Sequence, residues 1–135
     1  MNLESYLDYI AAFNAQDWKR LTGQYYAPDV EIVFPIVTLS GRDEALAWFV
    51  AAHEALFETI VPQRIAIDGH TITVDLTVHF VALGPTDYLP IPERGEAGDA
   101  VTVPMRAHYT VDEDDQIVAL TVEFTSPPQQ TQITP

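Results

Sequence analysis

The chain has 135 residues and a formal net charge of −14, with twenty acidic side chains against six basic ones, so its surface repels nucleic-acid phosphates and anionic lipid. At 47% hydrophobic and 19% charged residues it has the composition of a globular domain, and its length suits one core. It contains no cysteine, which excludes disulfides, thiolate metal ligands and a cysteine nucleophile.

The first residues, MNLESYLDYI, lack the basic region of a signal peptide. The longest apolar run, residues 45–52, is too short to span a bilayer, so a cytoplasmic protein is expected. Leu3, Tyr6, Leu7, Ile10 and Phe13 recur at helical spacing and predict a helix over residues 3–14, with Asn2 as its N-cap and Glu4 in its first turn. A second short helix follows Asp17, with Trp18, Leu21 and Tyr25 on one side, and Ala27-Pro28-Asp29 ends it. Residues 30–34 (VEIVF) alternate as a short strand that Pro35 stops.

Ser40-Gly41 opens a third helix, expected from Arg42 to about Phe57, with Asp43 and Glu44 where the helix dipole favours acids. Residues 64–67 and 71–83 form a hairpin across Asp68-Gly69. In its second strand Ile72, Val74, Leu76, Val78 and Phe80 alternate with Thr71, Thr73, Asp75, Thr77 and His79, giving one apolar and one polar face. Residues 84–99 make a long connection with three prolines and three glycines, either a lid or a mobile loop. Residues 101–111 and 117–124 form a second hairpin across the acidic turn 112–115. Residues 1–124 therefore read as one domain, and residues 125–135 (TSPPQQTQITP) as a flexible tail. Helices precede a run of antiparallel strands, the order of an α+β fold with helices on one face of the sheet.

His53 lies one helical turn after Phe49, so both share one side of the third helix, with Glu54 and Glu58 as surface neighbours. An imidazole changes charge near neutral pH, which suits acid–base work. Tyr9 combines an apolar ring with a hydroxyl that needs a partner when buried; it reads either as a packing residue or as a ligand-facing donor. Strand parity points His79 and His108 outward with Asp75, Thr77 and Arg106, away from any interior site. No metal and no cofactor is expected. No two histidines stand at i, i+4, and the acidic turn lacks the alternating ligands and glycine of a calcium loop. Gly-rich phosphate loops and a Gly-x-Ser-x-Gly elbow are absent as well.

The order of elements over roughly residues 3–124 resembles the nuclear transport factor 2-like superfamily, which includes the ketosteroid isomerases and the SnoaL-like polyketide cyclases. Residues 9–17 (YIAAFNAQD) resemble the first-helix motif of the isomerases. Val30-Glu31, and Ser40-Gly41-Arg42 through Ala47-Trp48-Phe49, resemble their first strand and third helix. The resemblance implies a cone, or cystatin-like roll, in which a curved antiparallel sheet and three N-terminal helices enclose a pocket. Tyr9 falls where the isomerases carry the tyrosine that donates to a developing oxyanion. Ile32 falls at the place of their aspartate base, and Ala107 at that of a protonated aspartate. Phe49 stands where a supporting tyrosine often sits, and Tyr25 or Tyr26 replaces another. Neither Ile32 nor Ala107 can exchange a proton, so steroid isomerisation by that route is not expected.

The implied pocket is lined by Tyr26, Ile32, Phe34, Phe49, Val78, Phe80, Met105, Ala107, Tyr109, Val122 and Phe124, with Tyr9 and His53 as its polar, catalytic groups. The resemblance implies a small, largely apolar organic ligand and an isomerase- or cyclase-like activity with a rearranged site. A non-catalytic module of the same fold is the alternative. The superfamily commonly packs the outer sheet face against a second copy. This implies a homodimer through Asp75, Thr77, His79, Arg106 and His108.

Overall fold

Asn2 closes a capping box on the first helix, because its side chain accepts from the Ser5 N–H while the Ser5 hydroxyl accepts from the Asn2 N–H, both at 2.9 Å. In the computed structural model, which describes residues 1–133, this helix (α1) spans Leu3–Asn14, as its spacing predicts. It buries Tyr6, Tyr9, Ile10, Ala12 and Phe13, while Leu3 and Leu7 of the predicted stripe stay exposed. Gln16, in the left-handed region at φ +58°, turns the chain into a short helix α2 (Trp18–Arg20) capped by Asp17. One π-helical turn, Leu21–Tyr25, follows it.

Strand β1 (Tyr26–Val33) begins before the expected breaker at Ala27-Pro28-Asp29. The proline is accommodated because pairing with residues 117–121 of a later strand is interrupted between Tyr26 and Glu31, so no ladder bond is demanded of its nitrogen. A short strand β2 (Thr38–Ser40), absent from the sequence reading, folds back on β1. Helix α3 spans Arg42–Ala52 and stops five residues short of the expected end. The reason is tertiary. Residues from Leu56 onward join strand β3 (Leu56–Asp68), whose ladder with β4 (Thr71–Ala82) runs from Leu56–Ala82 to Asp68–Thr71 and outweighs local helix preference.

β5 (Asp99–Val111) and β6 (Ile117–Phe124) complete the second hairpin. The sheet order is β2-β1-β6-β5-β4-β3, antiparallel except for the β1–β6 pair. The tail expected to fray instead contributes strand β7 (Gln129–Gln132). β6 pairs β5 only from Met105 onward, leaving the first residues of β5 free on that side, and β7 occupies the edge from Asp99 to Thr102. The last two residues of the tail lie outside the described residues.

This is an α+β fold in which α1, α2 and α3 cover one face of a curved, mostly antiparallel sheet. Bulges between Pro62 and Arg64 and between Thr110 and Val111 bend the long strands. The alternation in β4 translates directly into burial: Ile72, Val74, Leu76, Val78, Phe80 and Ala82 all face the core. On the opposite face Arg106 Nε donates to Asp75 Oδ1 at 2.7 Å, His79 bonds Thr102 at 3.0 Å and His108 meets Glu123 at 3.3 Å. Both histidines point away from the interior, as parity requires.

The long connection after β4 is tied down at two points. Thr86 and Gly95 exchange backbone hydrogen bonds of 3.0 and 2.8 Å, and Leu89 is buried against the core. A Cβ at Gly95 would press on the Leu89 side chain, which would have to shift to admit it. Replacing Ile72 with alanine is expected to lower the unfolding free energy by about 2–5 kcal/mol, and Thr73→Ala by no more than about 0.5 kcal/mol. Urea denaturation checks this, and equal costs at the two positions would contradict the assigned faces.

Candidate functional site

Between the helices and the concave sheet face lies a cavity of about 100 Å³, larger by several-fold than one water needs. Its walls are almost wholly apolar. Val78 and Phe80 of β4, Met105 and Tyr109 of β5, and Val122 and Phe124 of β6 supply the sheet side. Phe49 and His53 of α3, Tyr9 of α1, Tyr26 of β1 and Phe34 supply the opposite side. Two of the expected wall residues are not there. Ile32, paired with Leu39 and Leu120, is fully buried within the core cluster. Ala107, between Val74 and Val122 in the ladder, is fully buried and its methyl group is too short to reach the space.

Residues that the sequence reading did not place at the cavity include Phe13, Trp48, Tyr88, Pro90 and Glu58. Tyr88 and Pro90 come from the long connection, which thus forms part of the mouth. Tyr88 sets its ring edge-on to Trp48 at 6.2 Å. Phe34 and Trp48 lie 5.4 Å apart beside it, so the entrance is aromatic.

Two polar pairs meet this apolar space. The first is built from tyrosines. Tyr6 and Tyr9, three residues apart on α1, share its inner face. The Tyr9 and Tyr26 hydroxyls lie 3.0 Å apart, and Tyr6 donates to the Tyr109 hydroxyl at 3.1 Å. Tyr25 packs its ring edge on Tyr9 at 5.6 Å, so Tyr26 rather than Tyr25 supplies the hydroxyl partner. Burial is the main cause that pushes all four hydroxyls above the ordinary tyrosine range. For Tyr9 the neighbouring Tyr109 and Tyr26 add to it; for Tyr26 the bond from Tyr9 opposes it and the Glu58 charge adds to it. All four are therefore neutral donors at neutral pH, the form that can hydrogen-bond a substrate oxygen.

The second pair is His53 and Glu58. His53 follows the last residue of α3, where its Nδ1 lies 2.7 Å from the Phe49 carbonyl oxygen. Its Nε2 lies 2.9 Å from Glu58 Oε1, and the two side chains are only 4% and 14% exposed. Glu58 is thus a cavity residue, not the surface neighbour expected, because β3 and not α3 carries it; Glu54 alone stays exposed. A carbonyl only accepts, so Nδ1 must carry a hydrogen. A neutral ring would then turn a lone pair at Nε2 toward the carboxylate. The bond therefore needs one more proton, on Nε2 or on Glu58. Trp18 covers the imidazole with ring centroids 4.2 Å apart and stacks on Phe49 at 4.9 Å, a face that favours an imidazolium.

Among the described residues no group of three or more His, Cys, Asp or Glu could hold a metal ion, and no helix is long and apolar enough to cross a membrane. Residues 6–120 match the model of the SnoaL-like domain family. No curated protein matches the sequence. Solved structures do share the fold. An epoxide hydrolase of M. tuberculosis, described as LEH-like, superposes with a TM-score of 0.72 at 11% identity, over 90% of this chain and 80% of its own. A hypothetical protein of Catenulispora acidiphila DSM 44928 with a ketosteroid isomerase-like fold, solved with trimethylamine, gives 0.70 at 16% identity, over 91% and 86%. A Xanthomonas campestris pv. campestris protein assigned to the polyketide cyclases gives 0.67 at 24% identity, over 84% and 82%.

The tyrosine cluster sets a pH dependence. Unfolded tyrosines release protons near pH 10, whereas the folded hydroxyls keep theirs, so above pH 10 the folded state binds more protons and loses stability as pH rises. Each ring contributes about 1.4 kcal/mol per pH unit to that loss. In an alkaline titration followed by tyrosinate absorbance and circular dichroism, Tyr6, Tyr9, Tyr26 and Tyr109 should ionise only as the protein unfolds. Full tyrosinate absorbance with a native dichroism spectrum would contradict their burial as neutral donors.

Proposed function

The chain belongs to the SnoaL-like domain family, and from that premise we propose that its cavity binds a small, largely apolar organic molecule and serves an isomerase- or cyclase-like reaction that uses no cofactor. The observation that carries this reading is the enclosure of two polar pairs, Tyr9–Tyr26 and His53–Glu58, within one otherwise apolar space. In such a site the apolar wall holds the body of the ligand and a few polar groups fix its orientation. Tyr9 or Tyr26 donates to a ligand oxygen, and His53 belongs to the acid–base machinery. The polyketide-cyclase and epoxide-hydrolase names of the structural neighbours agree with a small organic ligand.

A non-catalytic module is the second reading, and one observation favours it: Ile32 and Ala107 occupy the places where the isomerases carry acids, and both are packed in the core. Either reading is compatible with a homodimer through the outer face of Asp75, Thr77, His79, Arg106 and His108. Phe57 and Val61, paired opposite Val81 and Thr77 and exposed, would add apolar area to it. Light scattering at micromolar concentration should give twice the chain mass; a monomer would contradict the dimer.

Ligand-observed NMR with 2-cyclohexenone, a one-ring apolar carbonyl compound, tests the cavity. Binding to the unmodified protein is expected, with loss on Val78→Trp, which fills the space. Tyr9→Phe should weaken it about tenfold, the scale of one hydrogen bond. Binding that survives Val78→Trp would place the ligand elsewhere, and an unchanged affinity in Tyr9→Phe would remove Tyr9 from recognition.

A further inference from the structure

Glu58 contributes the sole carboxylate among the described residues that line the cavity. Its Oε1 is taken by His53 Nε2, while Oε2 carries no hydrogen bond. Among the described residues no fully buried side-chain oxygen or nitrogen lacks a partner, so Oε2 keeps some accessible surface. With the extra proton of the pair on Nε2, the second oxygen of this cavity-lining carboxylate is left free to accept.

The backbone beneath it is fixed with unusual care for an edge strand. β3 is the last strand of the sheet, and its outer edge would expose unpaired groups at Glu58 and Ile60. The end of α1 supplies them with side-chain amides. Gln16 Nε2 donates to the Glu58 carbonyl at 2.7 Å, and the Glu58 N–H reaches Gln16 Oε1 at 3.5 Å. Asn14 Nδ2 donates to the Ile60 carbonyl at 2.9 Å and its Oδ1 accepts from the Ile60 N–H at 2.8 Å. Gln16 adopts its left-handed φ of +58° in the turn that brings this amide to the strand. Two amides thus replace a missing strand neighbour at the two residues that flank one outward position, and they hold Glu58 against the cavity.

We propose that Glu58, partnered by His53, is the general base of this cavity, taking a proton from a weakly acidic C–H of the bound molecule onto Oε2, and that Gln16 and Asn14 are its positioning residues. The inference rests on the reading that the cavity receives small organic molecules. In the step the C–H bond breaks, an O–H bond forms on Glu58, and the electron pair stays on the molecule. That pair moves to an electronegative atom of the same molecule, so no oxidant, reductant or cofactor is required. His53 keeps its Nε2 proton on Oε1 throughout and compensates the carboxylate charge before the transfer.

The probe is 5-nitrobenzisoxazole, which a base opens directly: the proton leaves C3, the C–H electrons complete the nitrile, the N–O bond breaks, and a coloured phenolate is released. Full-length protein is expected to turn it over with saturation. Glu58→Gln, similar in shape and able to hydrogen-bond His53, should lower kcat about 10²-fold or more at unchanged KM, the scale of general-base catalysis. Glu58→Asp, with the carboxylate one methylene back, should fall between the two, and the exposed Glu54→Gln should match the unmodified protein. Gln16→Ala should lower kcat severalfold with KM unchanged. A Glu58→Gln protein as fast as the unmodified one overturns the base assignment while leaving the cavity reading intact. Absence of saturable binding by the unmodified protein overturns both. A Gln16→Ala variant that changes KM alone overturns the positioning role.

Discussion

The carbonyl oxygen of Phe49 can only accept a hydrogen bond, and the chemistry of the cavity follows from that. It holds the hydrogen of His53 on Nδ1, which leaves Nε2 facing Glu58. Two acceptors cannot face each other at 2.9 Å, so a proton lies between Nε2 and Oε1 and joins the two side chains. The end of α3 is what makes this possible. The Phe49 carbonyl there takes two hydrogen bonds from one residue, the His53 backbone N–H at 3.2 Å and the imidazole Nδ1 at 2.7 Å. The stack of Trp18 on Phe49 and against His53 then fixes the ring in that orientation.

The tyrosine cluster is organised on a different principle. The hydroxyls of Tyr6, Tyr9, Tyr26 and Tyr109 satisfy one another in two pairs, which lets four polar groups lie inside an apolar core. Their rings pack edge-on, Tyr9 meeting Tyr109 at 5.7 Å and Tyr6 meeting Tyr109 at 5.4 Å. The Glu58 charge is felt at Tyr26, so the two polar pairs are electrostatic neighbours across the space between them. A ligand oxygen could exchange for one partner of the Tyr9–Tyr26 bond at little net cost, since one hydrogen bond replaces another.

Much of this was legible from local pattern. The α+β order, the capped first helix and both hairpins follow from period and turn chemistry. Strand parity correctly turned His79 and His108 outward and Val78, Phe80, Met105 and Tyr109 toward the cavity. What local pattern missed was set by distant partners. Residues 53–57 (HEALF) carry helix-favouring alanine and glutamate, and only the ladder with β4 makes Leu56 and Phe57 a strand. That one misreading moved Glu58 from the cavity to the surface. A period-two reading of Leu56, Glu58 and Ile60 would have recovered it. Tyr6 stands one turn before Tyr9, a spacing that also held the signal. The pairing of β7 had no local signal, because it depends on the overhang of β5 beyond β6.

Ile32 and Ala107 show the limit of carrying positions across a family. The resemblance puts both at positions of acids, yet both are core residues here, and the cavity's carboxylate comes from an edge strand. The most direct test of the account is a crystal structure soaked with 2-cyclohexenone. The account predicts the ring between Val78, Met105 and Phe49, with its oxygen within hydrogen-bond distance of the Tyr9 or Tyr26 hydroxyl. A cavity closed by side chains, or a ligand found only on the outer surface, would contradict it.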